Sequence, residues 1–171
     1  MTNTLKFNAY FLSTLLSWSP AAMSAAPDAQ SASFHLDAPP ARVFPFFTAE
    51  GERAWAPGWV PDMLSGAVER GSVFRTHAHG RDTVWIVIDY RAETHRASYA
   101  RLVDGMNMGL VDVACDADGA GTKVTVRYTL TPLSEEGAAA ASEFLAPARY
   151  AAFIREWQQA IGGLLTADAA R

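Results

Sequence analysis

Few residues in this chain have the types and spacing needed for chemistry, and they fall into two sets. The first is His77-x-His79 with Asp82. On a strand, residues two apart share a face, so two imidazoles so placed could reach one metal ion. No third ligand is evident in the pattern, and Gly80 marks a hairpin tip, so these read as solvated turn residues. Neither a metal nor a cofactor is expected. His35 and His95 stand alone, and no serine sits in a Gly-x-Ser-x-Gly context. Gly119-Ala120-Gly121 is a turn with no helix behind it, so it does not form a phosphate loop. Cys115 is the single cysteine, which rules out an intrachain disulfide framework and fits a small buried thiol. No catalytic residue is assigned.

The second set is aromatic: Trp55, Trp59, Phe74, Trp85, Tyr99, Tyr128, Tyr150 and Trp157. These side chains either fill a core or line a pocket, since small-ligand sites are concave, mostly apolar and carry a few polar groups. Thr76, Tyr99, Arg101 and Tyr128 could supply those groups. Arg101 lies two residues from Tyr99, so on a strand the two share a face. A buried arginine needs an anionic partner, from the protein or from a ligand. The alternative is a surface arginine at a strand end.

These residues need elements to position them. The one long segment with a helical period is Ser134–Thr166. There Tyr150, Phe153, Ile154, Trp157, Ile161, Leu164 and Leu165 recur at three- and four-residue steps. Ser134 is a good N-cap, Glu135 and Glu136 suit the positive end of the helix dipole, and Pro147 must kink or restart the helix. Trp157 is expected to be largely buried. Gly162 and Gly163 are expected to leave space where the helix meets its partner.

Upstream, strands are predicted at Ser33–Leu36, Val73–Ala78, Thr83–Tyr90, His95–Val103, Met108–Cys115 and Lys123–Leu130. The last alternates strictly, with Val124, Val126, Tyr128 and Leu130 on one face. Asp104-Gly105 and Asp118-Gly119 are hairpin signals. Two short helical pieces, Arg42–Thr48 and Ala49–Ala56, follow the first strand. The rigid aromatic stretch Trp55–Pro61 comes after them. The order predicts an α+β domain in which a curved antiparallel sheet grips the long C-terminal helix.

Composition sets the bounds. A chain of 171 residues suits one domain, here 31–167, and buries roughly 70% of its unfolded surface. A net charge of −4 with scattered arginines is not a nucleic-acid footprint. Met1–Gln30 differs from the rest: Lys6 precedes an apolar run, Phe7–Trp18, and then small residues. The run is too short for a stable membrane span and has the outline of a weak export signal, cleaved near Ser24. The other reading starts translation at Met23 and places the protein in the cytoplasm. Under both, this segment is expected to pack little against the domain.

The stretch Val43-Phe44-Pro45-Phe46-Phe47-Thr48-Ala49-Glu50-Gly51-Glu52-Arg53-Ala54-Trp55, with Pro57-Gly58-Trp59, resembles bacterial members of the START-like (SRPBCC) superfamily. That group includes polyketide cyclases and the birch-pollen-allergen proteins. Gly71-Ser72-Val73-Phe74-Arg75-Thr76-His77 and Leu133-Ser134-Glu135-Glu136-Gly137 resemble the same subgroup. The similarity spans about Ser33 to Leu165. It implies a helix-grip fold with an apolar cavity between sheet and helix, and a small hydrophobic or amphipathic ligand there. Two alternatives follow from the same resemblance: a cyclase- or dehydratase-like enzyme, and a co-chaperone-like interaction module. The ligand's identity and the oligomeric state are not legible from the sequence.

Overall fold

The structure, a computed structural model, describes residues 28–78 and 80–169. The expectation for the leader falls on residues that lie mostly outside this range. Residues 28–30 already belong to the first strand, β1 (Asp28–Leu36), which begins ahead of the predicted Ser33. Seven antiparallel strands form one sheet in the order β1-β7-β6-β5-β4-β3-β2. The others are β2 (Asp62–Ser65), β3 (Val73–Ala78), β4 (Arg81–Arg91), β5 (Arg96–Val103), β6 (Asn107–Asp118) and β7 (Gly121–Pro132). From β2 to β7 the sheet is a simple meander, and β1 completes it by pairing with β7. Gly105 and Gly119 sit at positive φ in the two turns that their Asp-Gly pairs predict. The sheet does not close into a barrel, so β1 and β2 remain edges.

Alternation determines what each face carries. Along β4, Thr83, Trp85 and Val87 point inward while Val84, Ile86 and Ile88 face solvent. Cross-strand register assembles the inner side chains into rows. One row runs Phe74, Trp85, Arg101, Gly109, Leu130 across β3 to β7, and a second runs Val87, Tyr99, Val111, Tyr128 across β4 to β7. A slip in register between Val87 and Asp89 marks a bulge, a feature that bends a strand.

The connection after β1 is more tightly wound than expected. α1 (Pro40–Val43) gives way to a 3-10 turn at Phe44–Phe47, and a second 3-10 turn covers Gly51–Ala54. Pro45 brings no backbone donor to this segment. Val43, Phe44 and Phe47 are fully buried. β2 was not legible because it is four residues long and only Met63 is part-buried.

The C-terminal segment divides as Pro147 requires. α2 (Glu135–Leu145) is capped by the Ser134 hydroxyl, which accepts from the Gly137 N–H at 3.0 Å. Ala146 is extended, at φ −55° and ψ 130°, as the residue before a proline prefers, and Pro147 opens α3 (Pro147–Ala169). Tyr150, Ile154, Ile161 and Leu165 form the buried stripe of α3. Trp157 departs from expectation: it is only part-buried, because it stands beside open space rather than in packed core. The backbone of α3 packs closest to β1, while α2 covers β7, β1 and β6. Gly162 and Gly163 also depart from expectation. Gly162 faces Leu36 at the β1 end, Gly163 meets nothing, and neither borders the gap described below.

Gly137 sits in the first turn of α2, against the backbone of the β5–β6 connection. A Cβ there would lie 1.7 Å from the Met106 carbonyl oxygen. Gly137→Ala is therefore expected to destabilise the domain by ~1–3 kcal/mol, the usual cost of overpacking. Alanine's better helix propensity, about 1 kcal/mol, works against this loss. Denaturant midpoints measure the difference, and a stabilised variant would refute the close approach.

Candidate functional site

Because α3 lies nearest β1, the half of the sheet toward β3–β5 is covered by side chains and not by helix backbone. Two adjoining spaces remain there. The inner one, about 20 Å³, is bounded by Phe47, Ala49, Val111, Val113, Phe74 and Tyr99 and has room for a water molecule. The outer one, about 260 Å³, opens to solvent between the Gly51–Trp59 segment, the sheet and α3. Glu52, Trp59, Trp85, Tyr128 and Trp157 border both. Trp55, Ala56, Arg101, Phe144 and Phe153 complete the outer wall.

The aromatic wall is held by edge contacts and fixed indoles. The Trp55 Nε1 donates to the Phe46 carbonyl and the Trp59 Nε1 to the Ala49 carbonyl, both at 2.8 Å. Trp55 and Phe153 each meet Trp157 edge-on at 5.0 Å between ring centroids. Phe74 stacks on Trp85 with the rings 2° from parallel, and the Trp85 indole donates to the Thr76 hydroxyl at 3.0 Å. Opposite, Tyr128, Phe144 and Phe153 contact one another edge to face.

Of the ten residues that the sequence put forward, eight border the two spaces: Trp55, Trp59, Phe74, Trp85, Tyr99, Arg101, Tyr128 and Trp157. Thr76 and Tyr150 do not. Thr76 is buried beneath Trp85 as its hydrogen-bond partner. Tyr150 is fully buried, with its hydroxyl donating to the Val126 carbonyl at 3.0 Å, and burial pushes its pKa up to about 12. The first set stands apart from the cavity. His77 bonds Asp82 at 2.8 Å on the exposed β3–β4 hairpin, and His79 lies outside the described residues.

Glu52 went unnoticed in the sequence. A Glu-Gly-Glu-Arg run reads as a solvated surface, and its neighbours Glu50 and Arg53 do pair outside at 2.7 Å. The tight turn sends Glu52 the other way. The Thr48 hydroxyl accepts from the Gly51 N–H at 3.0 Å, and a Cβ on Gly51 would strike the Pro45 carbonyl, so only glycine fits there. Glu52 then borders both spaces, and burial raises its pKa to about 8. Tyr99 and Tyr128 are also raised, chiefly by burial. Tyr99 donates to the Phe47 carbonyl at 2.8 Å, whereas Tyr128 is influenced by Arg101 and Glu52 in opposite directions.

Arg101 occupies the inner-face row between Trp85 and Gly109. Its guanidinium carbon lies 5.5 Å from the Trp85 ring centroid, a cation–π distance. Burial lowers its pKa, partly offset by Tyr128. Its Nε is buried without a hydrogen-bond partner, and among the described residues no carboxylate forms an ion pair with it.

A curved antiparallel sheet gripping a C-terminal helix over an aromatic cavity defines a helix-grip, START-like protein. The chain belongs to the family described as polyketide cyclase / dehydrase and lipid transport, which matches residues 29–162. Among solved structures it is similar to Ara h 8.0201 at 15% identity and a TM-score of 0.61, over 82% of this chain and 99% of that one. It is similar to a Rhodobacter sphaeroides protein at 19% identity and a TM-score of 0.60, over 81% and 93% of the two chains. Norcoclaurine synthase from Thalictrum flavum aligns at 10% identity and a TM-score of 0.62, over 96% and 99%. At these identities the likeness is one of fold. No curated protein matches the sequence.

The raised pKa of Glu52 has a stability consequence with a definite sign. Between its ordinary pKa of 4.5 and its folded value of about 8, the unfolded state loses the proton and the native state keeps it. Stability is therefore full below 4.5 and falls as pH rises toward 8. Glu52→Gln removes this loss. Its melting temperature relative to the native chain is expected to climb between pH 4.5 and 8 and then level off. Parallel pH profiles for the two proteins would show that Glu52 is not held neutral.

Proposed function

We propose that the chain binds a small hydrophobic or amphipathic molecule in the outer chamber between the sheet and α3. The supporting observation is that chamber: about 260 Å³, open to solvent, walled by aromatic rings, and reached by a few polar groups. Burial supplies the driving force, roughly 25 cal/mol per Å² of apolar ligand surface removed from water, and the polar groups set orientation. The rim is stiff, because both of its indoles are tied to backbone carbonyls, so little ordering cost falls on the protein during binding. Family membership is consistent with the same reading. Among the described residues no helix is long and apolar enough to cross a membrane.

A second reading, proton transfer of the cyclase or dehydratase type, draws on Glu52 alone. A carboxyl with a pKa of about 8 can exchange a proton near neutral pH. Against it, neither Glu52 nor Arg101 makes a side-chain hydrogen bond among the described residues, so the chamber lacks an oriented acid–base pair. Binding is the better-supported function.

The test is saturable binding of an apolar fluorescent dye to the native chain. The expected result is one site, weakened tenfold or more by Ala56→Phe, which places a ring in the chamber wall. If native protein binds no dye saturably, the proposal is wrong.

A further inference from the structure

We propose that the molecule held in the chamber is an amphipathic carboxylate, with its head group paired to Arg101 and its apolar body against Trp55, Phe144, Phe153 and Trp157. This rests on the binding reading above and names the ligand's chemical class.

Among the described residues Arg101 is an unpaired cation. It projects from the inner face of the sheet, half-buried, with its guanidinium over the Trp85 ring and its Nε shut off from water. Desolvating a cation without an anionic partner is costly, and structures that keep one there ordinarily supply the partner. Among the described residues this one has none, and its Nε is buried with no acceptor. Gly109, next to it on β6, has no side chain because a Cβ there would lie 2.5 Å from Leu130 Cδ2 and 2.8 Å from the Thr129 carbonyl oxygen.

Glu52 borders the same chamber and is the obvious internal candidate for partner. It lies beyond ion-pair distance of Arg101, and at neutral pH burial keeps it protonated. It therefore does not neutralise the guanidinium, but it can donate a hydrogen bond to a bound acceptor.

The charge count selects a carboxylate over a phosphate monoester. A guanidinium fork matches the two oxygens of a carboxylate in one plane. Among the described residues no other Arg, Lys or His borders the chamber, so one positive charge is available. A phosphate dianion would bring an excess negative charge into an apolar site. The apolar body must be modest in size. An apolar cavity of ~150 Å³ holds benzene, and 260 Å³ with an open mouth admits a fused ring pair or a medium alkyl chain.

Isothermal titration at pH 7 with matched ligands tests this. One series is 2-naphthoate, 2-naphthylmethanol and 2-naphthylmethylamine, and the other is decanoate, decanol and decylamine. In at least one series the native chain is expected to bind the carboxylate about tenfold or more tighter than the alcohol, the scale of a charge-assisted hydrogen bond. The amine is expected to bind weakest. Arg101→Met, which keeps much of the volume, is expected to abolish the preference while leaving the alcohol's affinity within about threefold of native. Arg101→Lys is expected to retain part of it.

Equal binding of acid and alcohol by the native chain overturns the proposal. So does an Arg101→Met variant that is folded by circular dichroism and loses both ligands alike, which would make the arginine structural. If that variant does not fold, the native chain's ranking of the three head groups decides. If neither series binds but the fluorescent dye does, the carboxylate assignment falls and the binding function stands. If the dye fails as well, both fall.

Discussion

An open curved sheet has more inner surface than one helix can cover, and the rest of this structure follows from that mismatch. α3 resolves it by settling on one side, with its backbone closest to β1 and its Ile154–Ile161–Leu165 stripe in packed core. The cover for the remaining half comes from large rings on the Gly51–Trp59 segment, α2 and α3. Rings reach far from a distant backbone, but their flat shapes do not tile a concave surface completely. The chamber is what they leave.

The polar groups inside it obey the same geometry. Arg101 is inward because it shares a strand face with Tyr99, and the pleat permits no other direction while Tyr99 is buried. Glu52 is inward because a glycine-dependent 3-10 turn orients it. Each is imposed on its site by the backbone, and neither finds the other. The cavity is thus bordered by a cation and a neutral acid that stay separate.

Much of this architecture is legible in the sequence. The strict alternation of Lys123–Leu130 and the three-four spacing from Tyr150 to Leu165 are direct consequences of burial on one face, so pattern alone reveals them. The break at Pro147 follows from a missing donor. Arg101 could be flagged from its spacing to Tyr99, although spacing did not say whether that face was inner. What escaped depends on tertiary placement. Glu52 looks like its solvated neighbours until the turn is built. Gly162 and Gly163 looked like the source of the gap, yet the helix meets β1 at that point and the gap lies elsewhere. Tyr150 has the composition of a lining residue but faces the side where packing is tight. A one-dimensional pattern identifies the face of an element that is buried. It does not identify which part of the buried face lacks a neighbour.

Four of the chain's five tryptophans, Trp55, Trp59, Trp85 and Trp157, stand around one small opening. Indole emission responds to local polarity and to nearby charge, and rings this close exchange excitation readily. Trp85 adds a guanidinium 5.5 Å from its ring centre. The colour and intensity of the protein's own ultraviolet emission therefore report mainly on what occupies that opening. The molecule carries its own optical gauge of occupancy, and extracts or purified fractions can be surveyed for guests without labelling it.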